Sequence, residues 1–136
     1  MSMISTAVIK KLIKEATKAR KNAYAPYSKF LVGSAVLGGS GKIYGGCNVE
    51  NASYGLTNCA ERTAIFRAIA QGEKKIDAIA VLYDPDELGS PCGACRQVIR
   101  EFGKKLPVIL ANLKGQYKIV PLEELLPGSF GPESLD

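Results

Sequence analysis

Residues 76–102 read IDAIAVLYDPDELGSPCGACRQVIREF, and three structural elements are predicted along them. The first eight residues, Ile76 to Tyr83, are almost wholly apolar, which is typical of a central strand covered on both faces. A loop follows from Asp84 to Pro91. The rest predicts a helix that begins near Cys92, runs to Phe102 and ends at Gly103.

The flanking sequence extends this alternation of strands and helices. Residues 4–20 predict an amphipathic helix. Further elements are predicted as strands at 30–37, 42–49, 108–111 and 117–120 and as helices at 58–71 and 122–126, with Asn58 as the cap of the first of these helices. The order αββαβαββα predicts an α/β fold of three layers, α/β/α, with one mixed sheet of about five strands. We expect a single domain over residues 1–136.

Composition and charge narrow the possible functions. The chain has a net charge of +5, and no basic cluster is interleaved with aromatic residues as on nucleic-acid platforms. No apolar run approaches the ~18 residues of a membrane span. The N-terminal segment carries several lysines and does not resemble a signal peptide. We therefore expect a cytoplasmic protein without a membrane or nucleic-acid partner.

The cysteines suggest a metal site. Cys92 and Cys95 are three positions apart at a predicted helix start, so their thiols can bind one ion. Cys59 begins another predicted helix, which would pack beside the first if each helix follows a parallel strand. The chain has no histidine, which excludes Ser-His-Asp and Cys-His catalysis and leaves thiolates as ligands, most suitably for zinc. Three ligands would leave a fourth position open for water, as in catalytic zinc sites.

Other interpretations of the cysteines stay open at this point. A Cys-x-x-Cys pair is also typical of thioredoxin-type redox sites, and four cysteines could form two disulfides in a secreted protein. If Cys47 were a fourth ligand, the site would be closed and the protein a non-enzymatic zinc module. A small buried cysteine with no chemical role is the alternative at that position.

Charged residues surround the predicted metal site. Zinc with three thiolates carries a net charge of −1, which two helix N-termini would offset in part. Arg62 and Arg96 are both spaced to reach a thiolate. Glu61 could carry protons near the metal, but its spacing from Asn58 also fits a helix capping box. Spacing alone does not separate these two roles of Glu61.

Five longer segments carry a more specific pattern: residues 24–30 (YAPYSKF), 47–57 (CNVENASYGLT), 59–62 (CAER), 90–97 (SPCGACRQ) and 124–130 (ELLPGSF). Together they resemble the small homotetrameric cytidine deaminases. The Cys-Ala-Glu and Pro-Cys-x-x-Cys pieces match the zinc-deaminase signature in its all-cysteine variant. The likeness covers roughly residues 10–132, and Leu31 stands where many members carry proline.

The resemblance implies hydrolytic deamination of cytidine and 2′-deoxycytidine to uridine and 2′-deoxyuridine in pyrimidine salvage. One zinc ion per chain would be bound by Cys59, Cys92 and Cys95. Close to the metal, the resemblance implies that Glu61 shuttles protons and that Arg62 neutralises the thiolates. In the substrate pocket, Phe30 would pack on the pyrimidine, the Ala60 backbone would contact the base, and Asn48 and Glu50 would bind the ribose. Tyr54 and Phe130 would complete the pocket of a neighbouring subunit.

Two related activities remain as alternatives to nucleoside deamination. A deaminase of a cytosine-containing antibiotic such as blasticidin S shares the zinc signature, but Asn48 and Glu50 favour an ordinary ribose. A deaminase acting on nucleic acid would need a basic channel for a single strand, and the sequence shows no clear sign of one.

Overall fold

The computed structural model describes residues 4–135 and contains five strands and four α-helices among them. In chain order these are α1 (Thr6–Arg20), β1 (Gly33–Gly38), β2 (Ile43–Cys47), α2 (Ala60–Ala70), β3 (Ile76–Leu82), α3 (Gly93–Arg100), β4 (Pro107–Ala111), β5 (Tyr117–Pro121) and α4 (Leu122–Leu125). Short 3₁₀ turns occupy Tyr54–Leu56 and Pro132–Leu135. None of the helices described is long and apolar enough to cross a membrane.

The strands form one mixed sheet in the order β2-β1-β3-β4-β5. The central pair β3–β4 is parallel and the other three pairs are antiparallel. Parallel pairing requires a crossover, which the segment containing α3 supplies. The α/β fold with one mixed five-stranded sheet, expected from the sequence, is confirmed.

Alternating residues of the strands face two cores. On one face, Ala35, Ala80 and Ile109 pack with the apolar side of α1. On the other face, Val36, Ile79 and the side chains of α2 and α3 form the second core. This alternation is the period-2 pattern of strands that are buried on both sides.

The packing of α2 and α3 positions the chemistry of the chain. The two helices lie on the same face of the sheet and contact each other. Cys59 is the N-cap residue of α2, and Cys92 is the N-cap residue of α3. Both helix N-termini therefore meet at one edge of the sheet, next to the carboxyl end of β3.

Two local predictions are wrong for reasons that involve distant partners. The first strand begins at Gly33 rather than Phe30, since the backbone of 30–32 is bonded to the Asn48 side chain. Asn58 does not cap α2: its backbone pairs with Val49, and its amide donates to Thr63 Oγ1 at 3.1 Å.

Candidate metal centre and active site

Three thiols converge between the two helix N-termini. The Sγ atoms of Cys59, Cys92 and Cys95 all lie within 4.8 Å of one another, and those of Cys59 and Cys92 are 3.8 Å apart. Thiolates bound at ~2.3 Å to a tetrahedral zinc ion are ~3.8 Å apart. The side chains of the two N-cap cysteines make no capping hydrogen bond, which leaves both sulfurs available. The donor set and its spacing therefore fit one zinc ion per chain, with a fourth position left open.

Cys47 lies apart from this cluster. It is the last residue of β2, and it does not belong to the group of three thiols that could hold an ion. Burial raises the pKa of the Cys47 thiol, which favours its neutral form over the thiolate that zinc requires. The structure thus places Cys47 in the role of a packed thiol and not in a closed four-cysteine site.

Arg62 stabilises negative charge on the cluster. Its Nη2 atom donates a hydrogen bond to Cys59 Sγ at 3.2 Å. Interaction with the nearby Cys95 thiol, together with the Arg62 hydrogen bond, lowers the pKa of Cys59 below its ordinary value. The same interaction raises the pKa of Cys95. The arrangement therefore favours a thiolate at Cys59.

Arg96 does not share this role, although its spacing allowed it. Its guanidinium donates to the carbonyl oxygens of Pro91 and Leu125, both at 2.8 Å, and to Ser90 Oγ at 3.0 Å. These bonds tie the loop that enters α3 to the end of α4. Arg96 thus supports the metal site by fixing the chain before Cys92.

Glu61 is buried beside the thiols. Only 4% of its surface is exposed, and burial raises its pKa to about 7. The N-cap of α2 is Cys59, so Glu61 does not belong to a capping box with Asn58. A carboxyl group with this pKa can both accept and donate a proton near neutral pH.

A cavity of about 560 Å³ opens onto this cluster. It is lined by Ser28, Phe30, Val32, Asn48, Glu50, Thr57, Cys59, Glu61, Tyr83, Ser90 and Cys92. Its volume lies within the ~300–1,000 Å³ typical of small-molecule sites. The cavity joins the two predicted ribose-binding residues and Phe30 to the thiols and Glu61.

Asn48 shapes the cavity wall as well as lining it. Its Oδ1 accepts the Val32 N–H at 2.9 Å, and its Nδ2 donates to the Phe30 carbonyl at 2.7 Å. Lys29, just before Phe30, has a left-handed φ of 62°. The bonded segment lies outside the strands and leaves Phe30 51% exposed. One amide hydrogen and one lone pair of Asn48 remain available for a ligand.

Glu50 supplies an anionic acceptor on the same wall. Its carboxylate accepts the backbone N–H groups of Tyr27 and Ser28 at 3.0 and 3.1 Å, and also the Ser28 hydroxyl. The Ser28 hydroxyl is the main cause of the lowered pKa of Glu50. A carboxylate fixed in this way can accept hydrogen bonds from a sugar hydroxyl.

The remaining predicted residues lie at the edges of the site. Ala60 is fully buried at the first position of α2, where a helix leaves backbone N–H groups without intrahelical partners. Tyr54 is 74% exposed and lines an adjoining depression of about 340 Å³. Phe130 is 58% exposed and does not line the cavity of its own chain.

Sequence reasoning did not identify Tyr83, Ser28 or Ser90 as site residues. Tyr83 had a usable signal, because it directly follows β3 and ligands of α/β proteins bind outside the carboxyl ends of strands. Ser28 and Ser90 are common loop residues, and only the folded chain shows that they face the cavity.

An α/β/α domain with a Cys-Ala-Glu helix start opposite a Cys-x-x-Cys helix start is a deaminase of the zinc-dependent class. Residues 6–111 match the family described as the cytidine and deoxycytidylate deaminase zinc-binding region. The chain belongs to this family. The family that the sequence resembled, its hydrolase class and its zinc cofactor are thereby confirmed.

Relatives of the same size support the assignment. A cytidine deaminase of Sporosarcina psychrophila is 53% identical over 128 residues, covering 93% of this chain and 94% of that protein. A cytidine deaminase of Halalkalibacterium halodurans is 51% identical over 126 residues, covering 92% and 96%. The crystal structure of cytidine deaminase from Burkholderia pseudomallei matches with a TM-score of 0.84 and 48% sequence identity, and the match covers 93% of this chain and 100% of that chain.

Proposed function

We propose that the protein hydrolyses cytidine and 2′-deoxycytidine to uridine and 2′-deoxyuridine and releases ammonia. One observation carries the proposal: buried Glu61 and two of the three clustered cysteines, Cys59 and Cys92, line the same cavity of about 560 Å³. The names of the full-length relatives support the choice of substrate. The reaction belongs to pyrimidine salvage.

The reaction needs a proton carrier close to the attacked carbon. Zinc, when bound by Cys59, Cys92 and Cys95, lowers the pKa of water toward ~7 and so supplies a nucleophile near neutral pH. Glu61 accepts the proton of the attacking water. It passes this proton to N3 of the cytosine, then accepts the second proton from the new hydroxyl on C4 and delivers it to the departing amino group, so that water and cytidine become uridine and ammonia. Its pKa of about 7 suits both directions of transfer.

Arg62 and the two helix starts support this chemistry by offsetting charge. Three thiolates donate strongly to the metal and would weaken it as a Lewis acid. The Arg62 hydrogen bond withdraws charge from Cys59, and the N-termini of α2 and α3 add partial positive charge. The Ala60 backbone N–H, at the start of α2, is assigned to the base.

The cavity wall favours a free nucleoside over a nucleotide. Phe30 is assigned to the pyrimidine ring, and Asn48 and Glu50 to the ribose hydroxyls. Among the described residues that line the cavity there are two carboxylates and neither lysine nor arginine. A phosphate group would meet the Glu50 carboxylate without a cation to bind it. The same argument disfavours a nucleic-acid strand, and the assigned ribose contacts disfavour blasticidin-type substrates.

A substrate panel tests this assignment. The loss of cytosine absorbance is followed with cytidine, 2′-deoxycytidine, free cytosine and CMP at equal concentration. We expect turnover of both nucleosides, with kcat/KM for cytosine and CMP lower by at least ~10²-fold because ribose contacts are missing or a phosphate is repelled. Preferred turnover of CMP would contradict the proposed substrate class.

We also propose that active sites are shared within a homotetramer. The resemblance assigns Tyr54 and Phe130 to a neighbouring pocket, and both rings are exposed and outside the cavity of their own chain. Exposed aromatic rings of this size are enriched at protein interfaces. An oligomer with closed symmetry would cover all copies of these rings.

Mixed oligomers test the sharing of sites. Phe130→Ala and Glu61→Gln chains are dissociated, mixed and reassembled, and activity is compared with that of each variant alone. We expect partial rescue, because some pockets then contain both intact residues. Absence of rescue in verified mixed oligomers, or a fully active monomer by light scattering, would contradict shared sites.

We further propose a cytoplasmic location. The zinc ligands must remain reduced, which cytoplasmic conditions favour. All four cysteines lack a disulfide in the structure. Fractionation of cells that express the tagged chain tests this, and we expect the protein in the cytoplasmic fraction. Recovery from an extracellular fraction would contradict it.

A further inference from the structure

We propose that Tyr83 is a positioning residue that holds Phe30 in the substrate cavity and thereby sets the affinity for the pyrimidine base. The inference rests on the proposed function of the same cavity. Tyr83 is half-buried and lines the cavity together with Phe30, Ser90 and Cys92. It thus lies between the wall assigned to the base and the loop that leads to a metal ligand.

The Tyr83 ring supports Phe30 directly. The two ring centroids are 5.0 Å apart, with an angle of 51° between the ring planes. Tilted aromatic pairs at this distance are attractive beyond their buried area. Phe30 needs such support, because it lies outside the strands and is 51% exposed. Its backbone is held by Asn48 and Ser28, but neither of these contacts fixes the ring.

The Tyr83 hydroxyl fixes the ring from the other end. It accepts the backbone N–H of Ser90 at 3.1 Å, two residues before Cys92. The loop between them packs closely on the end of β3: a Cβ added to Gly89 would lie 2.9 Å from the Val81 carbonyl oxygen and 3.2 Å from the Tyr83 ring. Gly89 also donates to the Ala111 carbonyl at 2.8 Å, which anchors the loop to β4. The ring is therefore held at the end of the central strand by its backbone, its hydroxyl and its neighbours.

The two contacts of Tyr83 can be separated by substitution. Tyr83→Leu removes the ring and the hydroxyl, whereas Tyr83→Phe removes the hydroxyl and keeps the ring. If the ring acts by placing Phe30 for binding, its loss weakens ground-state and transition-state binding alike, which raises KM and leaves kcat unchanged. A merely structural role would instead reduce folding or zinc content in both variants.

The test compares Tyr83→Leu, Tyr83→Phe, Phe30→Leu and the double variant Tyr83→Leu/Phe30→Leu with the wild type. We expect Tyr83→Leu to raise KM for cytidine by about 2- to 10-fold, the range given by one aromatic pair, with kcat and zinc content within twofold. Tyr83→Phe should raise KM less than Tyr83→Leu does, because it keeps the ring that contacts Phe30 and loses only the hydroxyl. Adding Tyr83→Leu to Phe30→Leu should change KM little, because the residue acts through Phe30.

A calorimetric Kd for the product uridine gives the same comparison without turnover, and it should rise in parallel with KM. Unchanged KM and Kd in Tyr83→Leu would overturn the inference. An equally large rise of KM in Tyr83→Phe would also overturn it, as would effects of Tyr83→Leu and Phe30→Leu on KM that simply add in the double variant. Loss of zinc or of folding in both Tyr83 variants would show a merely structural role. Failure of the wild type to deaminate cytidine would instead contradict the proposed function, which separates the two claims.

Discussion

Gly46→Ala should disturb both stability and catalysis, because α2 lies against β2 at this glycine. A Cβ added to Gly46 would lie 2.4 Å from the Ala64 backbone nitrogen and 2.8 Å from the Ala60 carbonyl oxygen. These atoms belong to the first turns of α2 and cannot rotate away as a flexible side chain could. An ordinary contact requires about 3.4 Å or more, so the helix must retreat from the strand by about 1 Å.

The size of the effect follows from this retreat. Overpacking a well-packed interior typically costs ~1–3 kcal/mol. For a domain of this length 1 kcal/mol corresponds to about 4 °C in Tm, so we expect a decrease of about 4–12 °C. The helix also carries Cys59 and Glu61 at its start. A displacement of 1 Å in a catalytic group can cost ~10²-fold in rate, so kcat should fall by ~10- to 100-fold.

Gly55→Ala is the matched control. A Cβ at Gly55 meets no atom within 4 Å, and the residue has no positive φ. Thermal unfolding of the zinc-loaded proteins by circular dichroism and steady-state turnover of cytidine are measured for both variants. We expect the control to match the wild type. If Gly46→Ala also matched it in Tm and kcat, the close approach of α2 to β2 would not be what positions the site.

Three further predictions concern the residues around the metal and the sheet. Cys92→Ser should lose zinc, as measured by metal analysis, because a hard hydroxyl replaces a thiolate, whereas Cys47→Ser should retain one zinc per chain. Equal loss of zinc in the two variants would contradict the open three-thiolate site. Arg62→Gln should keep zinc but lower kcat by roughly tenfold, the value of one charged hydrogen bond, and an unchanged kcat would remove its role in charge neutralisation. Glu73 accepts hydrogen bonds from Ser40 and Tyr44 that lower its pKa below 4.5, so Glu73→Gln should destabilise the fold at pH 7. Because the pKa of Glu73 is lower in the folded state, its stabilisation is fully present above pH 4.5 and is lost as the pH falls through the folded-state pKa. The difference in Tm between Glu73→Gln and the wild type should therefore shrink below pH 4.5, and a constant difference would contradict the role of Glu73.

Local patterns in the sequence were sufficient for the main strands and helices and for the grouping of cysteines. The apolar run that forms β3 and the periodicity of α1 each depend on neighbours within a few positions, and both elements are present. The Cys-x-x-Cys spacing is equally local, because both thiols belong to the start of one helix. The approach of Cys59 to that pair followed from the expected packing of two helices on one face of the sheet.

Contacts between side chains and distant backbone groups were not predictable in this way. The Asn48 side chain forms hydrogen bonds with Val32 and Phe30, which lie 16 and 18 positions before it in the chain. Because of these bonds, β1 begins only at Gly33, and the segment before it forms the wall that carries Phe30. Arg96 is spaced to reach a thiolate but bonds to carbonyl oxygens, one of them 29 positions away on Leu125. Such partners leave no periodic signal, because a side chain can meet any of several surfaces with similar energy.

The role of Glu61 in moving protons at a three-thiolate metal site is tested most directly by zinc-loaded Glu61→Gln. The glutamine keeps the shape of the side chain but cannot accept and return a proton. Turnover of cytidine and zinc content are measured on the same preparation, with wild type as the control. We expect about one zinc per chain in both proteins and a decrease in kcat of at least ~10²-fold in the variant. Near-normal turnover by the zinc-loaded variant would contradict the mechanism.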